Sequence, residues 1–510
     1  MLVGTSLDNQ VWKANVWLTD TPVPVLGRLG NAASDDCSFR DVRGLPVAAG
    51  GVFCFGPIAS REARWRLVTM SKRDEGKTFT QSNEQLSRRS ALKAAGTVAL
   101  LAAARTLTPA GANVAFAAGP ETTKAVLGYI ALTDAAPLVI AKEKGFFAKH
   151  GMPDVEIVKQ ASWGALRDNI VLGAAGNGID GAHILTPMPY LISTGKVTQG
   201  NVPVPMYILA RLNLDCQGIS VASEYADLKI GIDSAPLKAA LEKKKAAGKE
   251  VKAAVTFPGG THDLWMRYWL AAGGIDPDKD IQTIVVPPPQ MVANMKVGAM
   301  DVFCVGEPWN EQLVNQEIGY TAATTTEIWN GHPEKCLGMR AAWVDANPVA
   351  AKAIVMAVQE AQQWCEKFEN KDEMAKIVGL RQWFNVPVKD ITGRIKGEVN
   401  YGLGRTASDK KLAMKFWANG ASYPYKSHDA WFIAENMRWG KLDATTDIKK
   451  LVDAVNREDI WRDAAKTLGI AAADIPTSTS RGKETFFDGK VFDPDDAMAY
   501  LKSLSIKRVA

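Results

Sequence analysis

Cysteine is scarce in this 510-residue chain: there are six, none in a Cys-x-x-Cys pair. The five histidines include no pair at the spacing of a helical zinc site. Gly-x-Ser-x-Gly, a P-loop, and Gly-x-Gly-x-x-Gly after a strand are all missing, which removes the common local signatures of hydrolases and nucleotide enzymes. No Asp-rich loop demands calcium. Long apolar runs are missing as well. The one such run, Ala94–Ala104, is too short to span a bilayer as a helix.

An excess of either charge is also missing from most of the chain. Residues 1–117 carry 14 basic and 9 acidic side chains, which is the whole formal charge of +5, and the remainder is balanced. The basic balance therefore reflects the leader and gives no argument for nucleic acid. Hydrophobic content of 47% and charged content of 23% are those of an ordinary globular protein long enough for two or more domains.

Residues 1–69 have no sustained helical or alternating period and read as a disordered extension or as upstream sequence ahead of Met70. Residues 70–117 read as a signal peptide. Ser87-Arg-Arg-Ser-Ala-Leu-Lys93 resembles the twin-arginine export motif, the run Ala94–Ala104 suits its apolar region, and Ala115-Phe-Ala117 has the small-x-small form of a cleavage site. The expected cut falls near Ala117/Ala118, with no cysteine beside it for a lipid anchor. Four cysteines would remain, Cys216, Cys304, Cys336 and Cys365, expected as buried free thiols.

Beyond the cut, strands alternate with helices, as in a mostly parallel α/β sheet. Lys124–Ile130 and Val155–Lys159 read as strands, Asp134–Lys149 as a helix, and Ser162 as the cap of another helix. Asp180–Tyr190 reads as a strand entering a helix. Helices are expected over Pro348–Glu369, Ser408–Ala418, Trp431–Trp439 and Asp447–Leu468, with Trp364, Trp383, Trp417, Trp431, Trp439 and Trp461 in packing roles.

Phe257-Pro-Gly-Gly-Thr-His262 joins the strand Ala253–Phe257 to the helix Asp263–Ala272. Its glycines let the backbone approach something small, Thr261 is a reasonable N-cap, and His262 adds a donor at a helix start that favours anions. The same residues also fit a plain strand-to-helix turn.

The helix Ala136-Pro-Leu-x-x-Ala-x-Glu-x-Gly-Phe-Phe147 resembles that of periplasmic binding proteins for nitrate, sulfonates, taurine and thiamine precursors. Asp180–Tyr190, Phe257–His262, Met291–Trp309 with Val305-Gly-Glu-Pro-Trp309, His332-Pro-Glu-Lys335 and Tyr423–Trp431 resemble the nitrate/bicarbonate branch, and the likeness covers nearly all of 122–510. It implies a two-lobe periplasmic-binding-protein-like fold (type II), each lobe a mostly parallel sheet flanked by helices, with helical C-terminal additions. The lobes are placed at 118–215 and 216–325, the first returning over 326–510. It implies a monomer with no cofactor and no metal, capturing nitrate or nitrite in the periplasm for the permease and ATPase subunits of an ABC transporter, after passage through the twin-arginine export machinery.

The ligand-binding residues the resemblance implies are Trp163, Gln217, His262, Val305, Gly306 and Lys335. A planar oxyanion only accepts hydrogen bonds, and these residues supply an indole N–H, an amide, a ring N–H, backbone N–H and an ammonium. His183 is read as a satisfied buried histidine, and Glu307-Pro-Trp309 as fixing a loop between lobes. Of the neighbours Glu334 and Lys335, only Lys335 is expected to point inward, because successive residues of an extended segment face opposite ways. Loss of His262 is expected to weaken binding and spare the melting temperature. Bicarbonate- or sulfonate-binding relatives, a cytoplasmic nitrate sensor and a thiamine-pyrimidine synthase remain as alternatives. The synthase's cysteine-rich iron motif is missing here, and the leader argues against the sensor.

Overall fold

The computed structural model describes residues 119–509, together with the backbone of a two-stranded antiparallel ladder, Lys13–Leu18 against Thr21–Leu26. The twin-arginine segment and the expected cleavage site lie outside the described residues.

Two five-stranded sheets organise the large unit. Its strands are β1 (Lys124–Tyr129), β2 (Asp154–Lys159), β3 (Gly181–Leu185), β4 (Met206–Arg211), β5 (Gln217–Ala222), β6 (Lys252–Val255), β7 (Gln282–Val285), β8 (Val302–Gly306), β9 (Gly319–Thr324) and β10 (Lys335–Arg340). The first sheet has the order β2-β1-β3-β10-β4 and the second β7-β6-β8-β5-β9. In the first, β1 is parallel to β2 and β3, and β10 is antiparallel to β3 and β4. In the second, β6 is parallel to β7 and β8, and β5 is antiparallel to β8 and β9. Each sheet is thus mostly parallel with one reversed strand, and that strand is the one that has just crossed from the other sheet. The inner strands β3, β5 and β8 are buried along their whole length, whereas the edge strands β2 and β7 are largely open to solvent. Continuous apolar runs such as Val302–Val305 follow from cover on both faces.

Five helices matter for the site: α1 (Ala136–Glu143), α2 (Trp163–Leu172), α3 (Thr261–Ala272), α4 (Pro348–Glu366) and α5 (Lys426–Arg438). Three expected helices are cut short, lost or divided, besides shifts of up to five residues at the ends of others. The helix expected over Asp134–Lys149 stops at Glu143, because Gly145 adopts φ 72°, and a short turn restarts at Phe146. Ser408–Ala418 is not a helix. Arg405–Ser408 pairs with Glu398–Gly402, Lys415 bridges to Leu214, and the N–H groups of Phe416 and Trp417 donate to Glu366 at 2.7 and 2.9 Å. Asp447–Leu468 divides into Ile448–Val455 and Glu458–Thr467, because Asn456 leaves the helix to bridge Ile208 and to donate to Asp429 at 2.7 Å. In all three the sequence has helical spacing, and a glycine conformation or a tertiary partner overrides it.

Trp431 and Trp461 are fully buried, Trp383 and Trp439 nearly so, and Trp431 stacks on Trp265 at 4.8 Å. The four described cysteines are buried and unpaired. Helix α4 buries Ala350, Ile354, Val358, Ala361 and Cys365 at helical spacing, worth roughly 1.5–3 kcal/mol for each large aliphatic. From the same face Gln362 donates to the carbonyls of Arg211 and Leu212 at 2.8 and 3.0 Å, so the core helix also anchors the point where the chain leaves the first sheet.

The two crossings are bonded to each other. Leu212 N–H donates to Lys335 O at 2.8 Å, Asp215 N–H to His332 O at 3.0 Å, and Leu214 bridges Pro333. Asp215 and Cys216 take φ of 65° and 67°, a region that costs a non-glycine residue about 1–3 kcal/mol. The Asp215 carboxylate holds them there, accepting from Gly331 N–H at 2.8 Å and pairing with Lys415 at 2.5 Å. The first strand residue after each crossing is Gln217 on one side and Lys335 on the other. The hinge therefore sets these two side by side.

Candidate functional site

In both sheets the carboxyl ends of the parallel strands face the crossings, the usual ligand position in such folds. Trp163 begins α2 just after β2, where Ser162 Oγ accepts from Ala165 N–H at 3.1 Å and fixes the helix start. His262 lies in the first turn of α3 beyond β6, Gly306 ends β8, and Asp134 follows β1. Asp134, Trp163, His183, Gln217, His262, Glu334 and Lys335 are all fully buried.

One network joins them. Lys335 Nζ lies 2.9 Å from Asp134 Oδ2, 2.8 Å from Glu334 Oε1 and 3.5 Å from Gln217 Oε1. Its ammonium is 5.9 Å from the centre of the Trp163 ring. Gln217 Nε2 donates to Asp134 Oδ2 at 3.1 Å, which turns Gln217 Oε1 toward His262 Nε2 at 2.9 Å. Because that oxygen only accepts, His262 carries its proton on Nε2, and Nδ1 accepts from Thr256 Oγ1 at 2.7 Å. The same logic applies to His183, whose Nε2 donates to Asp134 Oδ1 at 2.7 Å. His183 Nδ1 and the Trp163 indole N–H have no hydrogen-bond partner.

Burial would lower the Lys335 pKa, but the carboxylates of Asp134 and Glu334 outweigh it and raise it above its ordinary value. Burial opposes ionisation of those carboxylates, and Lys335 above all holds both below their usual range. Burial, reinforced by the Lys335 charge, pushes His262 down to about 3. The approach of His262 Nε2 to Glu334 Oε1 at 3.4 Å is therefore not an ion pair. Burial likewise lowers His183 despite the adjacent Asp134.

Gln217, His262 and Lys335 come together, and Trp163 lies beside them. Gly306 meets them through its missing side chain: a Cβ there would stand 2.5 Å from Gln217 Oε1 and 3.5 Å from Asp134 Oδ2. Val305 is a buried strand residue whose carbonyl accepts from Asn310 Nδ2 at 2.9 Å. Glu307 and Trp309 tie the end of β8 to the first lobe, Glu307 O accepting from Thr133 N–H at 2.8 Å and Trp309 Nε1 donating to Ala131 O at 3.1 Å.

Three expectations change. Glu334 points inward with Lys335, accepting from Thr261 Oγ1 and from Trp265 Nε1, the latter at 3.2 Å. It precedes β10, directly after Pro333 at the crossing, so strand alternation does not govern it. Thr261 is not the cap of α3. Gly260 occupies that position, and the Thr261 hydroxyl is spent on Glu334. Gly259, at φ 73°, and Gly260 make close backbone approaches to Asn436 and Leu185, where a Cβ would lie 2.5 and 2.7 Å away. Third, His262 has two buried partners, Thr256 Oγ1 and Gln217 Oε1, and stranding both argues against a melting temperature left unchanged by its loss.

Asp134 is the member of this network that sequence reasoning missed, and Glu334 is the one it expected to point away. Asp134 looked like a helix-start residue, and its place before Ala136-Pro-Leu was the available signal. His183, expected as a satisfied buried histidine, is buried but only half satisfied, with Nε2 on Asp134 and Nδ1 without a partner.

The NMT1-like family model matches residues 118–379. The chain belongs to the NMT1-like family. It is 63% identical over 391 residues to the nitrate/nitrite binding protein NrtA of Synechocystis sp., covering 76% of this chain and 86% of that protein. It is 46% identical over 391 residues to the bicarbonate-binding protein CmpA of Synechococcus elongatus, covering 75% and 86%. The crystal structure of the periplasmic nitrate-binding protein NrtA from Synechocystis matches with a TM-score of 0.75 at 63% identity, covering 76% of this chain and 100% of that one. The two-lobe periplasmic binding fold of this NMT1-like chain is thus shared with a solved relative.

Proposed function

We propose that this chain captures nitrate, and with it nitrite, between its two lobes outside the cytoplasmic membrane and delivers it unchanged to an ATP-driven permease. The observation that carries the reading is a buried ammonium, Lys335, with donor side chains from both lobes around it. Trp163 offers its N–H from the first lobe and His262 its N–H from the second, with Gln217 at the crossing, the Gly306 backbone paired beside it and Val305 behind. The ligand's own oxygens would take over donors that now satisfy one another.

Bicarbonate differs from nitrate by one O–H, which needs an acceptor. Each oxygen of Asp134 and of Glu334 already accepts at least one contact, so an O–H would have to share an engaged oxygen, whereas nitrate meets the Lys335 ammonium with acceptors alone. Nitrate should bind far better than bicarbonate or a sulfonate. Titration of the purified protein with nitrate, nitrite, bicarbonate and an alkanesulfonate tests this, and small-angle scattering should show compaction with nitrate. A preference for bicarbonate, a radius unchanged by bound ligand, or conversion of the ligand would overturn the reading. The lobes are taken as 118–215 with 326–510, and 216–325, in a monomer exported by the 70–117 leader. N-terminal sequencing of the secreted form should begin near Ala118.

A further inference from the structure

The buried network has an unbalanced charge. Asp134 and Glu334 bring two negative charges, Lys335 brings one positive, and none of the three is exposed. Of the nearby carboxylates, Asp215 pairs with Lys415 at 2.5 Å, Asp263 with Arg267 at 2.7 Å and Asp429 with Arg211 at 2.7 Å, while Glu307 and Glu311 share Arg394 at 3.2 and 2.7 Å. With His183 and His262 neutral, the site carries one excess negative charge before any ligand enters. A nitrate would make it two, in surroundings without solvent. Proteins avoid buried uncompensated charge by shifting a protonation equilibrium.

The hydrogen bonds show where a proton fits. A proton on Asp134 or Glu334 must compete with Lys335, Gln217, His183, Thr261 or Trp265 for an oxygen already engaged. A proton on His262 Nδ1 must turn away the Thr256 hydroxyl. His183 is different. Its Nε2–H already donates to Asp134, and its Nδ1 lone pair is buried with no partner. Protonation there breaks no hydrogen bond and places an imidazolium against a carboxylate. The groups facing this ring are Asp134 ahead of α1, the Trp163 ring of α2 at 5.5 Å, and Glu334 and Lys335 at the start of β10. Asp134 and Glu334 favour the charged ring, and burial and Lys335 oppose it. One more negative charge between the lobes tips that balance toward the charged form.

We propose that the site takes up one proton from solvent with each nitrate it encloses, and that His183 holds it. The proposal rests on the nitrate-capture reading above. No bond of the nitrate is made or broken. The proton comes from water or buffer and leaves with the anion on release.

The sign follows from linkage. His183 is neutral in the empty site at pH 7 and charged in the complex, so the complex binds more protons and nitrate affinity falls as pH rises. The fall approaches tenfold per pH unit between the pKa of the ring in the empty site and that in the complex.

Calorimetry of the full protein with nitrate at pH 7.5, in buffers of different ionisation enthalpy, counts the protons directly. The observed enthalpy plotted against buffer enthalpy should have a slope near one proton per nitrate, and a slope of zero with nitrate bound overturns the proposal while leaving nitrate capture intact. Absence of nitrate binding by equilibrium dialysis overturns both. His183→Gln keeps a donor toward Asp134 and cannot take the proton. Its nitrate affinity should be weaker than wild type at pH 6 and flat from pH 6 to 8, and continued proton uptake by this variant would overturn the assignment to His183. The wild-type count stands even if the variant does not fold.

Discussion

Lys335→Met removes the only ammonium of the site and leaves Asp134 and Glu334, both fully buried, without the partner they hold at 2.9 and 2.8 Å. Breaking a buried pair from one side costs about 3–5 kcal/mol, because an uncompensated charge stays behind. For roughly 390 ordered residues the unfolding entropy near the midpoint is about 0.8 kcal/mol/K, so the melting temperature should fall by about 4–6 °C. The loss should shrink toward pH 4, where the stranded carboxylates take up protons. Adding Glu334→Gln returns the network to one excess negative charge and should recover about 2 kcal/mol, roughly half of the loss. Nitrate binding should not recover in the double variant. An ammonium ~4 Å from a monoanion, at an effective dielectric of ~20, contributes at most about 4 kcal/mol, or about three decades in Kd. Urea unfolding of the three proteins at pH 7, with nitrate calorimetry on each, separates the effects. A single variant within about 1 kcal/mol of wild type, or a double variant no more stable than the single, would refute the charge-pairing argument. Tight nitrate binding without Lys335 would refute its place in the site.

Three other outcomes follow from the geometry. Trp163→Phe keeps an aromatic ring but deletes an N–H that has no partner, together with part of a fully buried indole. Ligand-free stability should fall only by the void left behind, while nitrate affinity drops about tenfold or more, as for a lost hydrogen bond to a charge. His262→Ala strands the Thr256 hydroxyl and Gln217 Oε1, so denaturant unfolding should show a loss of about 1–3 kcal/mol in addition to weaker nitrate binding. Glu307 is pushed up to about 7 by burial first, against Arg394 at 3.2 Å, and its Oε1 has no hydrogen-bond partner. The folded form then holds an extra proton between the unfolded value of 4.5 and about 7. Wild-type stability should decline as pH rises through that window, and Glu307→Gln should melt above wild type at pH 8 but not at pH 4.5, by at most about 3 kcal/mol.

Much of this molecule is local, and local features can be read along a chain. The strand of Asp180–Tyr190 entering a helix, Ser162 ahead of α2, and the strand–Gly-Gly–helix turn at Phe257–His262 each depend on a few neighbouring residues, and each stands within a few residues of where its pattern put it. The resemblance then picked out Trp163, Gln217, His262, Gly306 and Lys335, residues spread over more than 170 positions that meet around one network. The charge state of that network was not legible, because it depends on which partners arrive from elsewhere. Asp134 has an ordinary helix-start sequence and acquires its role from Lys335 and His183, brought to it by β10 and β3. Glu334 turns inward because a crossing and a proline precede it, so the two-residue period that governs strands does not apply. The helical spacing of Ser408–Ala418 yields to Glu366 and Leu214, which capture its backbone. Sequence by itself determined most of the strands and helices around the site and which donor types are present. Tertiary structure alone decided which charges share a buried space, because pairing and desolvation act through distance in the fold and not through separation along the chain.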